Sequence, residues 1–380
     1  MKYNTVGLRK YMVAGLALGI VTLAVGCNRN LKQDKTRMPP VVPSSTWSFA
    51  VSGDSRNCGD VVMPSIAAGA KKDAAAFYWH LGDLRYTRNP DEDYLHQPEH
   101  RGKAPDKQQY IKDEWDDFEA SQIALFAPLP YYVGIGNHEV IEPKTRAEFT
   151  QRFAQWLDAP AIRQQRLADS PADTAPRTYY HWIQGGVDFI YLDNASKDQF
   201  DAAQMQWLET TLQKAAANPQ VRAVVAGMHE ALPESLARDH SMSDWDFGAV
   251  TGQQAYTALL NLHSKTGKPV YLLASHSHFF MTDLYDTDFW RTHGGVLPGW
   301  IVGTGGAVRY ALPDDPQRSR ARDARTKIYG YLLGTVQANG SIDFVFQEVK
   351  RSDTPASVEQ RYTPEFVDWC FAQNKDPKIP

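Results

Sequence analysis

Five short apolar runs in this chain each end on residues able to ligate a metal, and that recurrence limits the fold more than any other feature. Asp54 closes the run Phe49-Ala50-Val51-Ser52-Gly53, and Asp83 and Tyr86 follow Phe77-Tyr78-Trp79-His80-Leu81-Gly82. Asn137 follows Val133-Gly134-Ile135-Gly136, and His229 follows Val224-Val225-Ala226-Gly227-Met228. His276 and His278 follow Val270-Tyr271-Leu272-Leu273-Ala274-Ser275. Runs rich in Val, Leu and aromatics, broken by Gly, read as buried strands. In open α/β sheets, ligands gather beyond the carboxyl ends of such strands. One arrangement satisfies all five runs: a metal site on the strand-end rim of a buried sheet.

The rest of the chain fits that frame. Strands are expected at 47–53, 75–81, 130–135, 177–183, 187–192, 221–226, 269–274, 327–336 and 341–348. Helices are expected near 60–71, 108–126, 145–157, 200–217 and 251–265. Gln184-Gly185-Gly186 and Ala338-Asn339-Gly340 are hairpin signals. The front half alternates strand and helix, while the back half carries more antiparallel pairing. This predicts two packed mixed sheets with helices outside.

The N-terminal stretch does not belong to that fold. Lys2, Arg9 and Lys10 precede an uncharged segment from Tyr11 to Gly26, which ends Ala24-Val25-Gly26-Cys27. A basic start, an apolar core too short to span comfortably and small residues before a cut describe a secretory signal over 1–26. The Cys resembles that of a lipobox, which makes Cys27 the expected lipidated residue and the membrane anchor, although Ala24 stands where Leu is usual. The alternative is ordinary signal cleavage with Cys27 incidental. Asn28 after the Cys favours outer-membrane attachment, so a periplasmic or cell-surface location is expected.

Residues 27–45 are polar and then proline-rich, a semi-extended tether. One large domain is expected over 46–350, with a C-terminal extension over 351–380. The formal charge is −4 even with three basic residues in the signal, so the chain offers no general attraction to nucleic acid or an anionic bilayer. A phosphate-bearing substrate would need local cations. Cys58 and Cys370 are too few for a four-thiolate zinc site. In an oxidising compartment they could pair, but sequence does not supply the required approach, and the question stays open.

The donor chemistry narrows the metal. Asp54 and Asp83 offer anionic oxygens, Asn137 a neutral carbonyl, His229, His276 and His278 imidazole nitrogens, and Tyr86 a phenolate if ionised. Mixed oxygen and nitrogen donors suit zinc, manganese or iron. Seven donors exceed one tetrahedral ion but suit two ions sharing a carboxylate, an arrangement that serves in-line phosphoryl displacement.

In order, the blocks Asp54, Gly82-Asp83, Gly136-Asn137-His138-Glu139, His229 and His276-Ser277-His278 resemble those of the calcineurin-like metallophosphoesterases, and within them the purple acid phosphatases. The resemblance runs over about 46–349 and implies a four-layer α/β/β/α sandwich with two mixed β-sheets. Two departures stand out. Arg56 occupies the position where most relatives carry a ligating His, and arginine does not ligate. Gly82-Asp83-Leu84-Arg85-Tyr86 is similar to the Gly-Asp-x-x-Tyr of purple acid phosphatases, where tyrosinate replaces that His. Ser275 replaces a usual Gly.

Carried over by motif, a ferric ion would take Asp54, Asp83, Tyr86 and His278. A divalent iron, zinc or manganese ion would take Asp83, Asn137, His229 and His276, with Asp83 bridging. The motif places His138 near the substrate oxygens or leaving group. Read from the residues themselves, Arg56 is a candidate phosphate clamp or else a surface ion pair, and His240 a candidate substrate contact in the loop 230–247. His80, His181 and His263 are read as structural. The resemblance implies a metal-dependent, acid phosphatase-like phosphomonoesterase using metal-bound hydroxide on a small phosphate ester. Two other readings stay open: a diester, nucleotide or pyrophosphate hydrolase with the same ions, and a non-catalytic surface binding lipoprotein.

Overall fold

The computed structural model describes residues 46–195, 200–238, 240–372 and 374. The signal, Cys27 and the tether lie outside the described residues. Twelve strands follow in chain order: β1 (Trp47–Ser52), β2 (Ala75–His80), β3 (Tyr131–Val133), β4 (Tyr180–Gln184), β5 (Val187–Leu192), β6 (Ala223–Met228), β7 (Val270–Ala274), β8 (Phe280–Met281), β9 (Gly299–Val302), β10 (Ala324–Arg325), β11 (Tyr329–Val336) and β12 (Ile342–Val349). They form a five-stranded sheet in the order β12-β11-β1-β2-β3 and a seven-stranded sheet in the order β10-β8-β9-β7-β6-β5-β4.

Both sheets are mixed. β1, β2 and β3 run parallel, with β11 and β12 added antiparallel. β5, β6, β7 and β9 run parallel, with antiparallel edges. The sheets face each other across an aromatic core. Phe49 and Phe77 meet Phe189 edge-on at 5.0 and 5.1 Å between centroids, and Trp79 meets Trp182 at 5.3 Å. Such tilted contacts suit rings that carry a quadrupole. Helix Gly59–Lys72 covers the first sheet through Val62, Met63 and Ile66, and helices Ala202–Ala217 and Asp246–Thr266 cover the second through Leu208, Leu212 and Leu259. The layers are therefore α/β/β/α, as the sequence predicts.

Several elements depart from expectation. The helix expected over 145–157 breaks at Phe153 into Arg146–Arg152 and Ala154–Leu157, and a further helix, Pro160–Asp169, follows with Pro at its first turn. Strand β9 was hidden in the short run Gly299-Trp300-Ile301-Val302. The polar segment 87–106 contains a short helix, Glu92–His96, and buries Asp91 and Asp93 fully. Asp93 pairs with Arg85 at 3.2 Å, and Asp91 accepts the amides of Asn57 at 2.7 Å and Tyr86 at 3.2 Å. The C-terminal helices Ala356–Arg361 and Pro364–Ala372 pack Val358, Phe366 and Val367 on Val61 and Cys58. A Cys58–Cys370 disulfide, with its Cα atoms 5.9 Å apart, fastens this end and resolves the open question of pairing. No described helix is long and apolar enough to cross a membrane.

Candidate metal centre

The parallel strands β1, β2, β3, β6 and β7 deliver the candidate ligands, because each chain leaves its sheet on the same rim. The turns are sharp: Asp54, Asp83 and His276 hold φ of 58°, 59° and 60°. Non-glycine residues in that left-handed region cost on the order of 1 kcal/mol each, and such strain gathers at functional sites. The loops brace one another through Asp54 N–H to Gly82 O at 3.0 Å and Ser55 N–H to Asp83 O at 3.1 Å. Gly136 is required by space, since a Cβ there would lie 2.4 Å from both the amide nitrogen and Oδ1 of Asp83.

Glu139 fixes the same corner. Its Oε2 accepts the amides of Asp83 at 2.9 Å and Gly136 at 2.7 Å, and its Oε1 accepts that of Leu84 at 2.9 Å. Burial and the Asp83 charge push its pKa up to about 8, against the amides of Leu84 and Gly136, which favour the carboxylate. The three amide donors identify it as a carboxylate here.

Two groups of donors result, and they share Asp83. Donor atoms of Asp83, His229 and His276 lie within 4.8 Å of one another, as do those of Asp54, Asp83 and His278. In the first group, His229 Nδ1 lies 3.1 Å from Leu81 O, which fixes the proton there. The lone pair of His229 Nε2 then faces Asn137 Oδ1 at 3.0 Å, His276 Nδ1 at 3.1 Å and Asp83 Oδ1 at 3.2 Å. Acceptors converging in this way call for a cation. Burial opposes protonation of His229, but the Asp83 and Asp54 charges outweigh it and raise its pKa. A proton or a metal ion at Nε2 therefore relieves the repulsion, and the spacing is that of ligands around one ion.

In the second group, Asp54 Oδ2 accepts the His276 amide at 2.8 Å, while Asp54 Oδ1 and Asp83 Oδ2 are buried without a hydrogen bond. His278 Nδ1 donates to Val308 O at 2.5 Å, so its Nε2 faces Asp54 Oδ1 at 3.2 Å. The donor chemistry and these oxygens call for a positive charge, and Arg56 Nε already lies 3.4 Å from Asp83 Oδ2.

The charges agree with that geometry. Burial opposes ionisation of Asp83, but His229, His138 and Arg56 hold it well below the usual carboxylate range. Asp54 is lowered as well, with His278 outweighing burial. Burial and the neighbouring His229 push His276 well down, and burial with Arg56 lowers His278, so both present neutral, ligating nitrogens.

The other predicted residues fall around this cluster. Tyr86 stacks on His138 with centroids 5.1 Å apart, and its phenol oxygen makes no hydrogen bond or ion pair among the described residues. His138 donates from Nδ1 to Tyr86 O at 2.6 Å and turns Nε2 toward Asp83 Oδ2, 3.7 Å away. Burial lowers its pKa to about 3, leaving it neutral with a free lone pair. Arg56 is buried and turned inward, 3.4 Å from Asp83 Oδ2 and 3.2 Å from His278 Nε2. His240 lies beside His276, 5.6 Å between centroids.

Sequence reasoning gave Ser275 no role and missed Tyr310. Ser275, where a Gly is usual, places its hydroxyl 3.0 Å from Leu81 O and 3.1 Å from His229 Nδ1. Tyr310 stacks on His278 at 4.0 Å and on His240 at 5.1 Å. Its loop follows β9, and the run Gly299–Val302 followed by Gly303-Thr304-Gly305-Gly306 was the available signal. A cavity of about 450 Å³, lined by Arg56, Tyr86, His138, His240, His276 and Tyr310, opens on one side of the cluster. A second of about 420 Å³, lined by Glu230, Ser241 and Trp245, opens on another, and both reach Arg88, Asn137 and His276.

No protein-family model matches the chain, and no curated protein matches its sequence. Solved structures do. A purple acid phosphatase from yellow lupin (Lupinus luteus) superposes with TM-score 0.53 at 16% identity, over 83% of this chain and 53% of the lupin protein. PhoD superposes with TM-score 0.50 at 15% identity, over 80% of this chain and 72% of PhoD. The chain thus spans about half the length of the lupin enzyme. At such identities the likeness is one of fold, and the fold is that of the calcineurin-like metallophosphoesterases.

Proposed function

We propose that this protein is a metal-dependent phosphoester hydrolase, acting on phosphate monoesters in the manner of an acid phosphatase. The observation that carries the reading is the convergence of Asp83 Oδ1, Asn137 Oδ1, His229 Nε2 and His276 Nδ1, at spacings of 3.0–3.2 Å, in one buried corner. That group would hold one ion, and Asp54, Asp83 and His278 form a second cation position, against which Arg56 stands. Bound ions would act as Lewis acids toward the phosphoryl group and acidify water. A ferric ion held by a Tyr86 phenolate requires the phenol to turn toward Asp54 and the Arg56 guanidinium to withdraw.

The chain's own side chains divide the remaining work. Arg56 sets a permanent positive charge beside the cavity where phosphoryl oxygens would lie. His138, neutral with its Nδ1 proton committed to Tyr86 O, is an acceptor at Nε2. His240, more open to solvent, lines the cavity beside His276, where a leaving group would emerge. The two cavities meeting at Asn137 and His276 favour a second reading, a phosphodiester with one substituent in each. The disulfide supports an exported location, because such bonds persist in oxidising compartments, while lipid anchoring rests on the resemblance of the Cys27 segment to a lipobox alone.

The test is hydrolysis of a panel of mono- and diesters by zinc- or manganese-loaded protein. Monoester turnover that vanishes in Asp83→Asn is expected. Turnover of diesters alone selects the second reading, and no turnover of any ester refutes the hydrolase.

A further inference from the structure

The two donor groups differ in one respect: a cation already stands against the Asp54, Asp83 and His278 group. Arg56 is only 6% exposed. Its Nε lies 3.4 Å from Asp83 Oδ2 and its Nη2 3.2 Å from His278 Nε2, the nitrogen whose lone pair a metal would use. The guanidinium also sits 5.0 Å from the centre of the Tyr86 ring, a cation–π contact, and Tyr310, stacked on His278, lines the same cavity wall. It is held on several sides. At the Asp83, Asn137, His229 and His276 group no such cation stands: Asp83 Oδ1 accepts only the His138 amide at 3.0 Å and faces His229 Nε2 at 3.2 Å, and among the described residues no Lys or Arg pairs with it.

We propose that Arg56 is a built-in second cation: the chain retains a single metal ion, at Asp83, Asn137, His229 and His276, and the guanidinium takes the place of the other. This rests on the metal-dependent hydrolase reading and specifies its centre. The same feature explains why Tyr86 directs no oxygen to this cluster, since its ring is packed under the guanidinium. An ion entering between Asp54, Asp83 and His278 would come within roughly 4 Å of that fixed charge, weakening its binding on the order of a thousand-fold or more relative to an uncharged neighbour. A guanidinium offers N–H donors in a planar fork suited to phosphate oxygens, so the clamp on substrate charge is kept.

The full chain, stripped by chelation, equilibrated with excess manganese(II) and desalted, tests this without reference to activity. One manganese per chain is expected, with the six-line paramagnetic resonance spectrum of an isolated ion. Arg56→His and Arg56→Ala should take up a second manganese and show an exchange-coupled spectrum, whereas Arg56→Lys should keep one. His229→Ala should lose the ion and His278→Ala retain it.

Two ions in the wild-type chain would overturn the proposal while leaving the hydrolase reading intact. Folded Arg56 variants that still hold one ion would overturn the role given to Arg56. A wild-type chain that binds none would overturn the hydrolase reading, and this proposal with it.

Discussion

Replacing Glu139 by Gln changes one atom and should loosen the metal corner measurably. In the native protein, Oε2 accepts two amides and Oε1 accepts one, at 2.7–2.9 Å. Hydrogen bonds to a charged acceptor contribute about 1.5–3 kcal/mol each, against about 0.5–1.5 kcal/mol for neutral ones. The Gln oxygen would keep the two bonds at Oε2 in weakened form, losing about 1 kcal/mol from each. Its NH2 would then confront the Leu84 N–H, which loses its partner at a further cost of about 1–3 kcal/mol. The total is about 3–5 kcal/mol, or a fall in melting temperature of roughly 6–10 °C at about 2 °C per kcal/mol.

Because the same carboxylate positions Asp83 and Gly136, metal affinity should fall about 10–100-fold as well. Thermal unfolding followed by tryptophan fluorescence, with zinc affinity from chelator competition, measures both quantities. A variant within 1 °C of wild type and within two-fold in zinc affinity would refute the idea that this carboxylate holds the corner.

Gly136→Ala should abolish metal binding, because its Cβ would collide with Asp83, and zinc retention after desalting reads this out. Paired Cys58→Ser and Cys370→Ser substitutions open a link between residues 312 apart, which should destabilise the chain by about 3–5 kcal/mol in urea titrations. His181 is buried between Asp169 and Asp188, and these carboxylates overcome burial to raise its pKa from 6.5 to about 9. A raised folded-state pKa means that its contribution, at most about 3 kcal/mol, is complete below pH 6.5 and is lost as the pH climbs through 9. Urea midpoints at pH 6 and 9.5 should therefore differ more for wild type than for His181→Gln, and equal differences would contradict the pairing.

What was legible beforehand follows from which physics is local. A strand buried on both faces leaves a continuous apolar run, and the parallel strands feeding the site could be read in that way, with a polar donor marking where each chain leaves the sheet. β9 was hidden because Gly299–Val302 is so short and because Gly, Trp, Ile and Val there suit a strand only beside β7. The break at Phe153 depends on that ring packing against Trp115 and Phe149, a tertiary effect that helical periodicity does not reveal.

At the site, Asp54, Asp83, Asn137, His229, His276 and His278 converge because all lie on one rim. Arg56 and Tyr86 required side-chain directions. The sequence suggested a tyrosine oxygen compensating for a missing histidine; the structure packs the tyrosine ring under the arginine. For Tyr310 the Gly-rich run after β9 marks only the loop, and the fold alone brings its ring to His278.

The most direct test of the central claim is a chelation and add-back series in which metal content and phosphomonoester hydrolysis are measured on the same samples. Activity should vanish with the bound metal and return in proportion as zinc or manganese is restored, with His229→Ala recovering neither. Undiminished hydrolysis by metal-free protein, or metal fully restored with no hydrolysis, would contradict it.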